Sequence, residues 1–131
     1  MKRSILYLDD EVACLNLLRD VLGEDYEVRT ASTHEEARRL LSLSRADIVI
    51  SDQIMPDITG TEFLREVAEQ HPKSFRVLLT GGDTVGNLLR EISTGAIHYF
   101  LTKPWAEQEL RRMLELAAIT EAVRGGQGRE R

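Results

Sequence analysis

Five side chains in this 131-residue sequence have types and spacing suited to chemistry: Asp9, Asp10, Asp52, Thr80 and Lys103. Each closes or follows a short apolar run. Ile5-Leu6-Tyr7-Leu8 leads into Asp9-Asp10-Glu11, and Ile48-Val49-Ile50 leads through Ser51 into Asp52. Phe75-Arg76-Val77-Leu78-Leu79 ends on Thr80, and Ile97-His98-Tyr99-Phe100-Leu101 leads through Thr102 to Lys103-Pro104. Carboxylates brought to one place repel one another unless a cation sits among them or one takes up a proton. An all-oxygen ligand set suits a hard cation, and Mg²⁺ with retained waters is the usual occupant where phosphate is handled. A cation, a hydroxyl and an ammonium around a free carboxylate make a receptor for a phosphoryl group on that carboxylate, and carboxylates do form aspartyl phosphates. Phosphoryl transfer chiefly needs positioning and neutralisation of the oxygens, which these groups can supply. Singly, each has a plainer role. Asp9-Asp10-Glu11 can complement a helix dipole, Thr80 can cap a strand, and Lys103 can be an ordinary loop lysine. Their joint occurrence after four apolar runs favours a site.

The elements must bring these residues together. Continuous branched runs read as strands buried on both faces, and Pro56 stops the run that ends at Asp52. Val12 to Leu22 has helical spacing (Leu15, Leu18, Leu22) with Gly23 as a stop. Tyr26 to Ala31 alternates, as an edge strand with one wet face does. Ser32-Thr33-His34-Glu35 has capping-box spacing before a helix that turns Ala37, Leu40 and Leu41 inward. A third helix runs from Gly60 to Gln70 with Phe63, Leu64 and Val67 inward, and Pro72 marks its end. Gly81-Gly82 stops the fourth strand, and Asp83 or Thr84 caps a helix carrying Val85, Leu88, Leu89 and Ile92. The fifth strand is Ile97 to Leu101. A last helix runs from about Ala106 to Val123 with Leu110, Met113, Leu114, Ala117 and Ala118 on its apolar side. Strands alternating with helices predict right-handed βαβ units and a parallel sheet covered on both faces. With the second strand at an edge, the fold class is α/β, a flavodoxin-like doubly wound (βα)5 sheet in the order 2-1-3-4-5. The switch point then lies between strands 1 and 3, where Asp9, Asp10 and Asp52 meet.

The length suits one domain, taken as residues 1–123, and residues 124–131 read as a Gly-rich flexible tail or the start of a linker. A net charge of -5 argues against a general nucleic-acid surface. The single cysteine, Cys14, excludes an internal disulfide and reads as a small helix hydrophobe in a reducing, cytoplasmic setting. No apolar run is long enough to span a membrane, and the N-terminus is not a signal peptide because Asp9 interrupts it. His34, His71 and His98 lack zinc-ligand spacing.

The chain resembles the receiver domain of bacterial two-component response regulators. The matching pieces are Leu8-Asp9-Asp10-Glu11, Asp52-Gln53-Ile54-Met55-Pro56 with Gly60, Leu79-Thr80-Gly81 and Leu101-Thr102-Lys103-Pro104-Trp105, spread over most of the sequence. The resemblance implies that Asp52 accepts a phosphoryl group from a histidine kinase or phosphotransfer protein. It implies Mg²⁺ bound by Asp10, by Asp9 through water, by Asp52 and by the backbone carbonyl of Ile54. Lys103 and Thr80 would contact the phosphoryl oxygens. Thr80 and Phe100 would move together, changing the face built by the fourth helix, fifth strand and last helix to control an output domain or a homodimer. Val85, Leu89, Leu110 and Leu114 are candidates for that surface. A cis Lys103-Pro104 peptide is expected from the same resemblance. Ile54 and Gly82 lack the polar side chains by which the family often tunes phosphoryl lifetime. The alternatives are a degenerate receiver acting as a phosphorylation-independent interaction module and an aspartate-nucleophile phosphohydrolase. The second would carry an acid where Ile54 stands. A flavin-binding module is disfavoured because Asp9-Asp10-Glu11 would repel its phosphate.

Overall fold

Five short runs rich in Ile, Val, Leu, Tyr and Phe form the strands, because such side chains pack well on a pleated surface. They are β1 (Arg3–Leu8), β2 (Tyr26–Ala31), β3 (Ile48–Asp52), β4 (Phe75–Thr80) and β5 (Tyr99–Thr102). Between and after them lie α1 (Val12–Leu22), α2 (His34–Leu43), α3 (Gly60–Gln70), α4 (Val85–Ser93) and α5 (Glu107–Arg129). The computed structural model describes the backbone of residues 2–81 and 85–129, and the side chains among them except 85–88 and 125–129. All strand pairs are parallel, in the order β2-β1-β3-β4-β5. This is the flavodoxin-like doubly wound fold expected from the sequence.

Strand alternation divides the core in two. Ile5, Tyr7, Ile48, Ile50, Val77 and Leu79 pack against Leu15, Leu18 and Leu22 of α1 and Leu110, Met113 and Leu114 of α5. On the other face, Leu6, Leu8, Val49 and Leu78 meet Ala37 and Leu41 of α2 and Phe63, Leu64 and Val67 of α3. β3 is buried along its whole length. Each large aliphatic there contributes about 1.5–3 kcal/mol through burial.

Several details differ from the sequence reading. The N-cap of α2 is Thr33, whose hydroxyl accepts from Glu36 N–H, so the capping spacing starts one residue later than Ser32. A complete capping box instead opens α3, where Thr59 and Glu62 bond each other's backbone N–H. β5 begins at Tyr99 rather than Ile97, because the Ile97 N–H is held by the Glu91 carbonyl in the turn after α4. His98 therefore lies just before the strand. The outward side of β2 is only partly wet. Arg29 lies half-buried along it and donates to the carbonyls of Leu40, Ser44 and Arg45 at the end of α2. On α5, Leu110 and Leu114 are buried in the core, which removes them from the candidate partner surface, while Ala118 is exposed. Helix α5 runs on to Arg129, past the expected end at Val123. Extending a formed helix needs no new nucleus, which lets it carry weak formers such as glycine. The expectations for Gly82, for Asp83 or Thr84 as a cap, and for the Val85 and Leu88 side chains lie outside the described residues.

Candidate functional site

The strand carboxyl ends assemble the site. β1 pairs with β3 up to Leu8↔Ser51, so Asp9 and Asp52 emerge side by side. β3 pairs with β4 as Asp52↔Leu79, and β4 with β5 as Thr80↔Thr102, which brings Thr80 and Lys103 to the same edge. The Lys103 N–H donates to the Thr80 carbonyl at 2.9 Å, fixing the two ends together. Alternation sends Asp9, Asp52 and Lys103 toward the α1 and α5 face, following Tyr7, Ile50 and Leu101. Thr80 follows Leu78 toward the other face, the face on which Phe100 packs half-buried. The site thus straddles the sheet edge.

Asp9 is fully buried, and three donors satisfy it. Its Oδ2 accepts from the Tyr7 hydroxyl at 2.6 Å and from Lys103 Nζ at 2.8 Å, and its Oδ1 accepts from Glu11 N–H at 3.0 Å. Lys103 Nζ also lies 3.2 Å from Asp52 Oδ1, so a single ammonium bridges two carboxylates. Burial alone would lower the Lys103 ammonium, but the hydrogen bond to Asp9 and the charges of Asp9 and Asp52 hold it well above the usual lysine range. Asp52 itself is pushed up by burial and by the Asp9 charge, against the pull of Lys103. Buried and hydrogen-bonded to Asp9, the Tyr7 phenol is raised far out of the titrating range and stays a donor. Exposed Asp10 completes the group. One carboxylate oxygen from each of Asp9, Asp10 and Asp52 lies within 4.8 Å of the others. This is a hard, all-oxygen set with a buried acid held in place by fixed donors, and it fits Mg²⁺.

The loop after β3 is fixed by contacts that hold Asp52. Gln53 N–H donates to the Leu79 carbonyl, and the Gln53 side-chain oxygen accepts from the backbone and hydroxyl of Thr61, each at 2.9 Å. Gly60 N–H returns to the Gln53 carbonyl at 3.0 Å. A Cβ at Gly60 would sit 2.2 Å from the Asp52 carbonyl oxygen and 2.8 Å from Leu78, so only glycine lets α3 start this close to β3. Ile54 is 78% exposed in this loop, with no polar side chain over the site. The Lys103-Pro104 peptide is cis.

The five residues singled out from the sequence therefore share one strand edge, with Phe100 behind Thr80. Sequence reasoning missed Tyr7, although a position two residues before Asp9 puts it on the same strand face. It also read Cys14 only as a small hydrophobe. The thiol does pack against the core, but its Sγ lies 4.0 Å from Lys103 Nζ, and burial pushes the thiol up against the pull of the nearby ammonium.

Residues 5–115 match the family model described as the response regulator receiver domain. The hydrogenase transcriptional regulatory protein HoxA of Cupriavidus necator is 31% identical over 122 residues, covering 93% of this chain and 25% of HoxA. The chain spans 22% of the length of HoxA from Bradyrhizobium diazoefficiens and 55% of that of the probable transcriptional regulatory protein TcrX of Mycobacterium tuberculosis. Of solved structures, the signal receiver domain of an HD domain-containing protein from Pseudomonas fluorescens Pf-5 superposes with a TM-score of 0.85 at 30% identity, covering 99% of this chain and 93% of that one. A response regulator receiver domain protein from Clostridium thermocellum gives 0.84 at 30% identity, covering 92% and 98%. Acids after β1, an acid ending β3, a threonine ending β4, a lysine after β5 and a sequence match across nearly the whole fold agree, and the chain belongs to the response regulator receiver domain family.

Proposed function

We propose that this chain is the phosphoacceptor of a two-component relay, taking a phosphoryl group on Asp52 from a histidine kinase or phosphotransfer protein. The observation that carries this reading is the triad of carboxylate oxygens beside an ammonium already shared by Asp9 and Asp52. An Asp52 carboxylate oxygen attacks phosphorus in line. The new P–O bond forms as the P–N bond to the donor histidine breaks, and the imidazole leaves with its electron pair and takes up a proton. Asp9, Asp10, Asp52 and the Ile54 carbonyl would hold Mg²⁺, which when bound neutralises charge developing on the phosphoryl oxygens. Lys103 needs to move little, since it already reaches Asp52 and can pair with a phosphoryl oxygen in place of a carboxylate oxygen. The Thr80 hydroxyl donates to another.

The output follows from the same groups. Drawing Thr80 toward the phosphoryl group vacates volume on the sheet face it shares with Phe100, and Phe100 repacks into it. This biases the α4, β5 and α5 face between two packings. Exposed Leu89 on α4 and Leu116 and Ile119 on α5 supply apolar surface for a partner or a second copy, in place of the buried Leu110 and Leu114. Residues 1–123 act as the receiver, and 124–131 connect it to an output domain, as the naming of HoxA as a transcriptional regulator suggests. The role is regulatory and cytoplasmic. No helix among the described residues is long and apolar enough to cross a membrane.

Intact-mass measurement after incubation with Mg²⁺ and acetyl phosphate tests the reading. One added phosphoryl that requires Mg²⁺ and is absent from Asp52→Asn is the expected result. An adduct that persists in Asp52→Asn contradicts it.

A further inference from the structure

The pole opposite Asp52, where the strands begin, has a cavity of its own. About 330 Å³ in volume, it lies between the starts of β1, β3 and β4 and the later turns of α5. Its floor is apolar, made by Phe75 and Ala117, both buried. Its walls carry Arg3, Arg45, Lys73 and Arg124 against two acids, Asp47 and Glu121, an excess of two positive charges. Both acids have partners. Glu121 pairs with Arg3, and Asp47 accepts from Ser4 N–H and lies 3.8 Å from Arg45. Among the described residues, neither Lys73 nor Arg124 has a carboxylate within ion-pair distance.

Arg124 is placed still less favourably for a cation. Its Nη2 lies 3.2 Å from His98 Nε2, and Arg76 Nη2 lies 3.4 Å from the same atom. His98 Nδ1 accepts from Arg76 N–H at 2.9 Å, so the ring proton of the neutral imidazole is on Nε2. Three donors therefore converge without an acceptor between them. The buried Arg76 guanidinium is satisfied by the carbonyls of Pro72, Ser74, Gly95 and Ala96, which carry no net charge to offset its own. Arg124 is exposed, and by turning from His98 its guanidinium can meet an anion in the cavity it lines in place of water.

We propose that this cavity binds a small organic phosphate, with its dianionic head held by Lys73 and Arg124 and its flat apolar body lying on Phe75 and Ala117. A phosphate monoester carries about -1.5 to -2 charge near neutral pH, which matches the excess of two cations. Guanidinium groups grip such oxygens bidentately, while a lysine adds a compact charge. The volume is at the small end of ligand pockets, large enough for more than a bare oxyanion. Because α5 forms one wall, occupancy would bind that helix to the start of β4 and give the domain a second input, remote from Asp52.

Phenyl phosphate is the probe, titrated into the full chain without Mg²⁺ and followed by amide chemical shifts. Phenol and inorganic phosphate serve as its two halves. Saturable shifts centred on Lys73, Phe75, Ala117 and Arg124 are expected, with no saturation by phenol and weaker binding of inorganic phosphate. Lys73→Ala and Arg124→Ala, both at exposed positions, should each weaken binding about tenfold or more, the scale of a lost charge-assisted hydrogen bond. Circular dichroism would verify that both variants are folded. The proposal is overturned by failure to saturate up to about 10 mM. Unchanged affinity in the double variant, shifts centred on Asp9 and Asp52, or inorganic phosphate binding as tightly as phenyl phosphate would each overturn it as well.

Discussion

Lys103 sits between two acids, Asp9 and Asp52, and the Asp9 side of that bridge is the rigid one. Asp9 is fixed by Tyr7 and the Glu11 N–H as well as by the ammonium, whereas Asp52 meets Lys103 at the longer distance of 3.2 Å. On the proposed function, a phosphoryl group on Asp52 would find a cation already held in reach by its neighbour. At the other pole, His98 gives a residue-scale prediction. Burial, Arg76 and Arg124 push its imidazole down to about 4 from an ordinary 6.5. Above the ordinary value neither the folded nor the unfolded chain binds the proton, and stability is unaffected. As pH falls between the two values only the unfolded chain binds it, so stability is lost, by about 2 kcal/mol near pH 5 relative to pH 7. Urea unfolding at those two pH values should show a loss larger by that amount in the wild type than in His98→Asn. Equal losses would contradict it. The acids, Thr80 and Lys103 were legible in the sequence because strand ends in a parallel sheet converge. The donor clash at His98 was not, because it depends on where α5 delivers Arg124.

At the scale of elements, the approach of α3 to β3 is the tightest fit around the site. Thr59 and Glu62 cap the helix, Gln53 ties its first turn back to the strand, and Gly60 permits the contact. Gly60→Ala should destabilise the fold by about 2–4 kcal/mol through overpacking against the Asp52 carbonyl. It should also slow Asp52 phosphorylation, because the backbone carrying the carboxylate must shift. A chemical-denaturation midpoint equal to that of wild type would show that the contact relaxes freely. Helix periodicity identified α1, α3 and the start of α5 because their apolar stripes are long and regular. It could not distinguish core leucines from surface ones on α5. Leu110 and Leu114 point to the sheet, and Leu116 and Ile119 point away from it. That orientation depends on how the helix is rotated against the sheet. The end of α5 was also illegible, since glycines read as a tail by propensity alone yet continue a helix already begun.

Over the whole molecule, charge is divided between the two ends of the sheet. Asp9, Asp10 and Asp52 outnumber Lys103 at the carboxyl end, while Arg3, Arg45, Lys73 and Arg124 outnumber Asp47 and Glu121 around the cavity at the other. The net charge of -5 hides this division, and only the strand order makes it visible. The topology itself was readable: five strand patterns alternating with helices leave few arrangements, and an amphipathic second strand selects the observed order. Helix α5 packs against the core at Leu110 and lines the distal cavity at Ala117 and Arg124. The account as a whole rests on Asp52 carrying the phosphoryl group. Borohydride reduction of the chain after treatment with acetyl phosphate and Mg²⁺, followed by peptide sequencing in a mass spectrometer, locates an acyl phosphate as homoserine. Homoserine at position 52 alone is the predicted result. Homoserine at position 9 or 10, or phosphate on a histidine with position 52 unmodified, would contradict the account.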